Sequence, residues 1–132
     1  MRIVLDTNVL VSGLLNPAGA PGRIADLILD GQIQLLYDDR ILSEYLDVLA
    51  RPKLDIDPSL AQAVISHIRL SGERIIAPPL PGKTLPDPDD LPFAEIAMAG
   101  KADALVTGNI KHFSKLKGAA VFSPAQFLKK LV

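Results

Sequence analysis

The sequence predicts an α/β fold with a mainly parallel central sheet and helices packed around it. Three observations predict it. The apolar runs IVL at 3–5 and ALV at 104–106 are continuous, which suits strands buried on both faces. Each is followed at once by small polar residues, Asp6-Thr7-Asn8 and Thr107-Gly108-Asn109, as at the carboxyl end of a buried strand. The segments between strands carry apolar residues at helical spacing, so strands and helices alternate along the chain. With 132 residues, 48% of them hydrophobic, the chain fits one domain with one core, spanning 1–132.

The elements follow in order. After the first strand, residues 9–15 form a short helix broken by Asn16, Pro17 and Gly19. A second helix covers about 21–30, with Ile24, Leu27 and Ile28 on one side and Gly31 as its stop. Residues 33–37 read as a strand. Asp38 or Asp39 caps a helix that runs to Leu49 and ends before Arg51-Pro52. Asp57-Pro58 opens the next helix, whose predicted buried face is Leu60, Val64, Ile65 and Ile68, with Gly72 closing it. Residues 74–77 read as a strand. The proline-rich loop PPLPGKTLPDPDDLP follows, then a helix at 93–99 stopped by Gly100. Strands at 104–106 and 119–122 and a helix at 124–131 complete the chain.

Composition excludes several classes of function. There is no cysteine, so no disulfide scaffold, thiolate metal site or cysteine nucleophile, and the chain suits a reducing cytoplasm. No apolar stretch approaches the ~20 residues of a membrane span. The net charge of −1 lacks the basic excess of a nonspecific nucleic-acid binder, so any such binding rests on a local patch. The densest basic segment is KHFSKLK, with Lys111, His112, Lys115 and Lys117; its plainer reading is a solvated helix end.

Asp6 sits where open α/β sheets gather their chemistry. Helix geometry sorts its candidate partners among the fifteen acidic residues. On the helix ending at Leu49, the apolar arc places Glu44 at its edge and Asp47 well outside. Spacing alone favours a solvated boundary role for Glu44. On the helix after the proline loop, Phe93, Ile96 and Ala97 face inward, and Glu95 is expected to face water. Asp87, Asp89 and Asp90 lie within four residues of one another, and a helix cap accounts for only one of them. Like charges this close repel unless a cation or water offsets them. Thr107 and Asn109 offer neutral oxygens, although Asn and Gly are also ordinary turn residues. Pooled carboxylates with only two histidines favour Mg²⁺ or Mn²⁺ over histidine-bound zinc. Such ions are used to cleave phosphodiesters.

Four segments together resemble the PIN domains, specifically the small bacterial and archaeal VapC-like toxins of toxin–antitoxin pairs. They are IVLDTNVLVSGLL, ILSEYLDVLARPKL, LPDPDDLPFAEIAMAGKADALVTGN and KHFSKLKGAAVFSPAQFLKKL. The resemblance implies a three-layer PIN-like fold with about five strands, and Mg²⁺- or Mn²⁺-dependent endoribonuclease activity. It puts the family's three acids on Asp6, Glu44 and Asp90, with Asn109 where many members carry a fourth Asp and Thr107 beside it. The missing fourth carboxylate implies weaker binding of a second metal, with Asp87 or Asp89 as substitutes. Thr7 and Asn8 would orient Asp6 or cap the first helix, and Lys111, Lys115 and Lys117 would contact the RNA backbone. A small antitoxin partner and a homodimer or higher oligomer are also implied.

Three other readings stand beside this one. The chain can instead be a weakly active or inactive module whose main role is to bind an antitoxin. A phosphatase with an aspartate nucleophile is disfavoured, because the Asp-x-Asp it needs is Asp6-Thr7-Asn8 here. A dinucleotide site is disfavoured further, since no Gly-x-Gly-x-x-Gly follows the first strand.

Overall fold

The computed structural model describes residues 1–131. Five strands form one parallel sheet in the order β3-β2-β1-β4-β5, flanked by six helices. The strands are β1 (Arg2–Leu5), β2 (Gln34–Tyr37), β3 (Glu73–Arg74), β4 (Ala104–Val106) and β5 (Val121–Phe122). The helices are α1 (Thr7–Leu15), α2 (Ala20–Leu29), α3 (Asp39–Leu49), α4 (Pro58–Ser71), α5 (Leu91–Ala99) and α6 (Pro124–Leu131). Short 3₁₀ turns occur at Pro52–Leu54, Pro88–Asp90 and Ile110–Phe113.

β1 is central because its residues are apolar on both sides of the sheet: Ile3, Val4 and Leu5 are all buried. It pairs with β2 on one side and β4 on the other. The first two crossovers, β1 to β2 and β2 to β3, go one way and the last two go the other, so the gap between β1 and β4 is a topological switch point. One continuous apolar core joins the sheet to its helices through Ile24, Ile41, Tyr45, Ile65, Phe93, Ile96 and Phe127. Among the described residues no helix is long and apolar enough to cross a membrane.

Local chemistry sets the boundaries. Gly31 takes φ +79°, a left-handed turn that stops α2 without a Cβ penalty. Asp38 caps α3 by accepting a 3.0 Å bond from the Ile41 amide. Asp57 caps α4 through Ser59, and Pro58 fills the first turn, where its missing N–H costs nothing.

Two expectations at the periphery are corrected. Leu60 is 42% exposed, whereas Val64, Ile65 and Ile68 are buried as predicted. Leu60 occupies the first turn of α4, and the helical stripe outruns the core there. The strand expected at 74–77 pairs only over Glu73–Arg74, with one further bond from the Ile75 amide to the Tyr37 carbonyl at 2.8 Å. Ile76 beyond it is 88% exposed. At the edge of a sheet there is no second neighbour to prolong the ladder.

Candidate active site

Sheet register builds the centre of the site. Leu5 of β1 stands opposite Val106 of β4, so the next residues, Asp6 and Thr107, leave the sheet side by side. The Asp6 amide extends the ladder with a 2.9 Å bond to the Val106 carbonyl. The fully buried Thr107 hydroxyl then donates to Asp6 Oδ2 at 2.7 Å. The Thr107 hydroxyl oxygen in turn accepts the Asn109 amide at 3.0 Å, so the Thr-Gly-Asn turn is fastened to the carboxylate it supports.

α3 brings the second acid. Glu44 is half-buried, and its Oε2 accepts the hydroxyl of Thr7, the first residue of α1. Thr7 therefore holds Glu44, and neither caps α1 nor bonds Asp6 through its hydroxyl. Asp6 occupies the cap position of α1 but makes no side-chain cap bond, which leaves its carboxylate for other partners. Asp47 is exposed and pairs loosely with Arg51 at 3.6 Å, as the helix geometry predicted. Beneath the site lies Tyr45, fully buried, its hydroxyl bonded to the Leu5 carbonyl. Its phenol is pushed well above the usual tyrosine range by burial first and then by the charges of Asp6 and Glu44. Both carboxylates thus act on the same buried hydroxyl.

The third acid comes from the proline loop. Asp87 opens the 3₁₀ turn by accepting the Asp89 amide at 2.9 Å, Asp89 itself is exposed, and Asp90 is buried. Asp90 Oδ2 lies 3.1 Å from His112 Nδ1. Burial raises the Asp90 carboxyl above its usual range, and the charges of Asp6 and Asp87 raise it further against the opposing pull of His112. Asp6 is raised by burial, with the Thr107 hydroxyl, the Thr7 amide and His112 pulling the other way. A buried acid whose charge is disfavoured by burial and by a neighbouring acid calls for a cation beside it.

Sequence reasoning missed two participants. His112 was placed among surface lysines. It is exposed, but its ring turns back onto Asp90. Its position five residues beyond Thr107, in the loop leaving β4, is the signal that could have found it. Glu95 was expected to face water, yet it is 4% exposed. Its carboxylate takes the Arg40 guanidinium at 2.6 Å on one oxygen and the Leu80 amide at 2.8 Å on the other. Arg40 also reaches Asp38 at 2.8 Å. The proline loop folds over that side of α5 and encloses Glu95, which a helical wheel alone does not reveal. Asn109, Lys111, Lys115 and Lys117 are exposed. Asn8 is also exposed, and its amide lies against Gly108, 3.6 Å from where a Cβ would stand.

Thr107→Val removes the hydroxyl at constant shape and strands both Asp6 Oδ2 and the Asn109 amide. The expected loss is about 1–3 kcal/mol by chemical denaturation, with Thr107→Ser retaining most of the stability.

The comparisons agree with this architecture. A family model described as PIN domain matches residues 2–111. An uncharacterised protein of Methanocaldococcus jannaschii is 32% identical over 111 residues, covering 83% of this chain and 71% of that protein. The fold is similar to that of VapBC2 from Rickettsia felis bound to a DNA fragment from their promoter. There the TM-score is 0.57 at 18% identity, over 93% of this chain and 98% of that one. It is also similar to FitAB bound to an IR36 DNA fragment, with TM-score 0.63 at 20% identity over 92% and 94% of the two chains. The family match over most of the length, together with acids gathered at the switch point of a five-stranded parallel sheet, places this chain in the PIN-domain family.

Proposed function

We propose that the protein is a divalent-metal-dependent endoribonuclease and the toxin of a cytoplasmic toxin–antitoxin pair, a single PIN domain that works as a homodimer. The observation that carries the reading is the convergence of Asp6 and Asp90, both buried and both with raised carboxyls, beside Glu44 at the carboxyl edge of the sheet. Membership of the family supports a nuclease. The resemblance of the fold to VapBC2 and FitAB, each solved with DNA, supports a small DNA-binding antitoxin as partner.

The donor set fits a hard cation such as Mg²⁺ or Mn²⁺, because Asp6, Glu44 and Asp90 offer only oxygens. When bound, such an ion supplies a water of lowered pKa and positive charge for the scissile phosphate. The protein's own part is positioning. Thr107 holds Oδ2 of Asp6, Thr7 holds Oε2 of Glu44, and His112 holds Oδ2 of Asp90. One oxygen of each acid is thereby oriented by the protein. Thr107 also fixes the turn that presents the Asn109 amide group at the rim. Lys111, Lys115 and Lys117 stand exposed in the same segment and would contact phosphates without reading sequence.

The test is cleavage of single-stranded and structured RNA with and without Mn²⁺, with Asp6→Asn as control. Cut RNA in the wild type and intact RNA in the variant is the expected result. Equal cleavage by both proteins, or none by a wild type freed of any copurifying partner, would overturn the reading.

A further inference from the structure

We propose that His112, Asp87 and Asp90 form a second cation position at the outer lip of the cleft, selective for a transition ion over Mg²⁺. The proposal shares Asp90 with the reading above and extends that site outward.

The three donors come from two separate segments, the 3₁₀ turn at Pro88–Asp90 with its cap Asp87, and the 3₁₀ turn at Ile110–Phe113. One ligand atom from each lies within 4.8 Å of the other two. Ligands held about 2.1 Å from one ion stand roughly 3.0 Å apart when adjacent and about 4.2 Å when opposite. The 3.1 Å between His112 Nδ1 and Asp90 Oδ2 is already the spacing of an adjacent pair. Asp87 stands within 4.8 Å of both and has to close on them to complete the set, a movement its place at the start of a short 3₁₀ turn allows. One Asp87 oxygen accepts the Asp89 amide, which orients the carboxylate and leaves its other oxygen for an ion.

The nitrogen donor is what separates this group from a patch of surface acids. Mg²⁺ prefers oxygen ligands and keeps several waters, whereas imidazole with carboxylates suits Mn²⁺, Co²⁺, Ni²⁺ and Zn²⁺ in rising preference toward the later metals. The inner acids Asp6 and Glu44 have hydroxyl partners and no imidazole. Two positions of different character would thus meet at Asp90, an all-oxygen one inside and a mixed one at the lip. Half-exposed His112 leaves the outer position open to an ion from solution.

The experiment is calorimetric titration of the full chain with Co²⁺ and separately with Mg²⁺, followed by the visible absorption of bound Co²⁺. Wild type, His112→Gln, Asp87→Asn and Asp6→Asn are compared, with folding checked by circular dichroism. His112→Gln is expected to weaken Co²⁺ binding by about tenfold or more, and Mg²⁺ binding by clearly less, since there it loses only the support given to Asp90. Asp87→Asn should weaken Co²⁺ binding in the same direction. Asp6→Asn should keep the His112-dependent Co²⁺ band. Co²⁺ affinity and spectrum unchanged in His112→Gln would overturn the proposal. So would loss of the band in Asp6→Asn, which would place the ion inside. Binding that depends on His112 in a protein that leaves RNA uncut would instead sink only the nuclease reading.

Discussion

Asp6→Asn is expected to lose RNA cleavage by on the order of 10³, since several kcal/mol of charge stabilisation go with the cation, yet to be more stable than the wild type when metal-free. The reason is the direction of the carboxyl shifts. Asp6 and Asp90 are both raised by burial, so the folded protein holds their protons more tightly than the unfolded chain does. Their unfavourable contribution is absent below the ordinary carboxylate pKa and grows as pH rises toward and through the raised folded values. The melting-temperature advantage of Asp6→Asn should therefore widen from about pH 4 to pH 7. Saturating Mn²⁺ should reverse the order. An ion at about 100 times its Kd stabilises the wild type by about 2.7 kcal/mol, and the variant much less. A variant less stable than wild type at neutral pH without metal would show that the buried charge is already satisfied by the protein.

Arg40→Ala is expected to be the most destabilising exposed-side substitution, at about 2–3 kcal/mol in urea denaturation, somewhat below the cost of breaking a fully buried pair because water reaches Arg40. The variant leaves the Glu95 carboxylate buried with the Leu80 amide as its remaining partner. It also frees Asp38, which caps α3. Arg40 thereby joins the start of α3, the middle of α5 and, through Glu95, the proline loop. Those elements carry Glu44 and Asp90. Arg40→Lys should recover part of the loss, since a single ammonium cannot serve Asp38 and Glu95 with the spread of a guanidinium. A loss under ~0.5 kcal/mol in Arg40→Ala, the level of an ordinary surface change, would contradict the assignment.

Both predictions rest on features of unequal visibility in the sequence. The central strand, the alternation of elements and the placing of Asp6 at a strand end were legible, because continuous apolar runs and following turn residues are local signals. Glu44 was separable from Asp47 by helix angle alone. Its pairing with Thr7 was not, since it joins residues 37 positions apart. Asp90 could be singled out of LPDPDDLP only through the family resemblance, because all three aspartates look alike locally. Glu95 was misplaced for a related reason. A helical wheel reports which side faces the main core, while burial of Glu95 depends on where an irregular loop comes to rest. His112 looked like part of a lysine-rich surface, and only the three-dimensional approach of its turn to Asp90 changes that.

The pairing of Asp6 with Thr107 spans 101 positions of sequence. On a ribosome that makes about 5–20 residues per second, the first half of this contact waits roughly 5–20 s for the second. During that interval the nascent chain has an N-terminal strand with no β4 beside it, and an aspartate with neither its hydroxyl support nor Asp90 at hand. The cleft cannot assemble until Thr107 and His112 have emerged. In the nuclease reading proposed above, the acids stay without their shared geometry until the strand that carries Thr107 has been made.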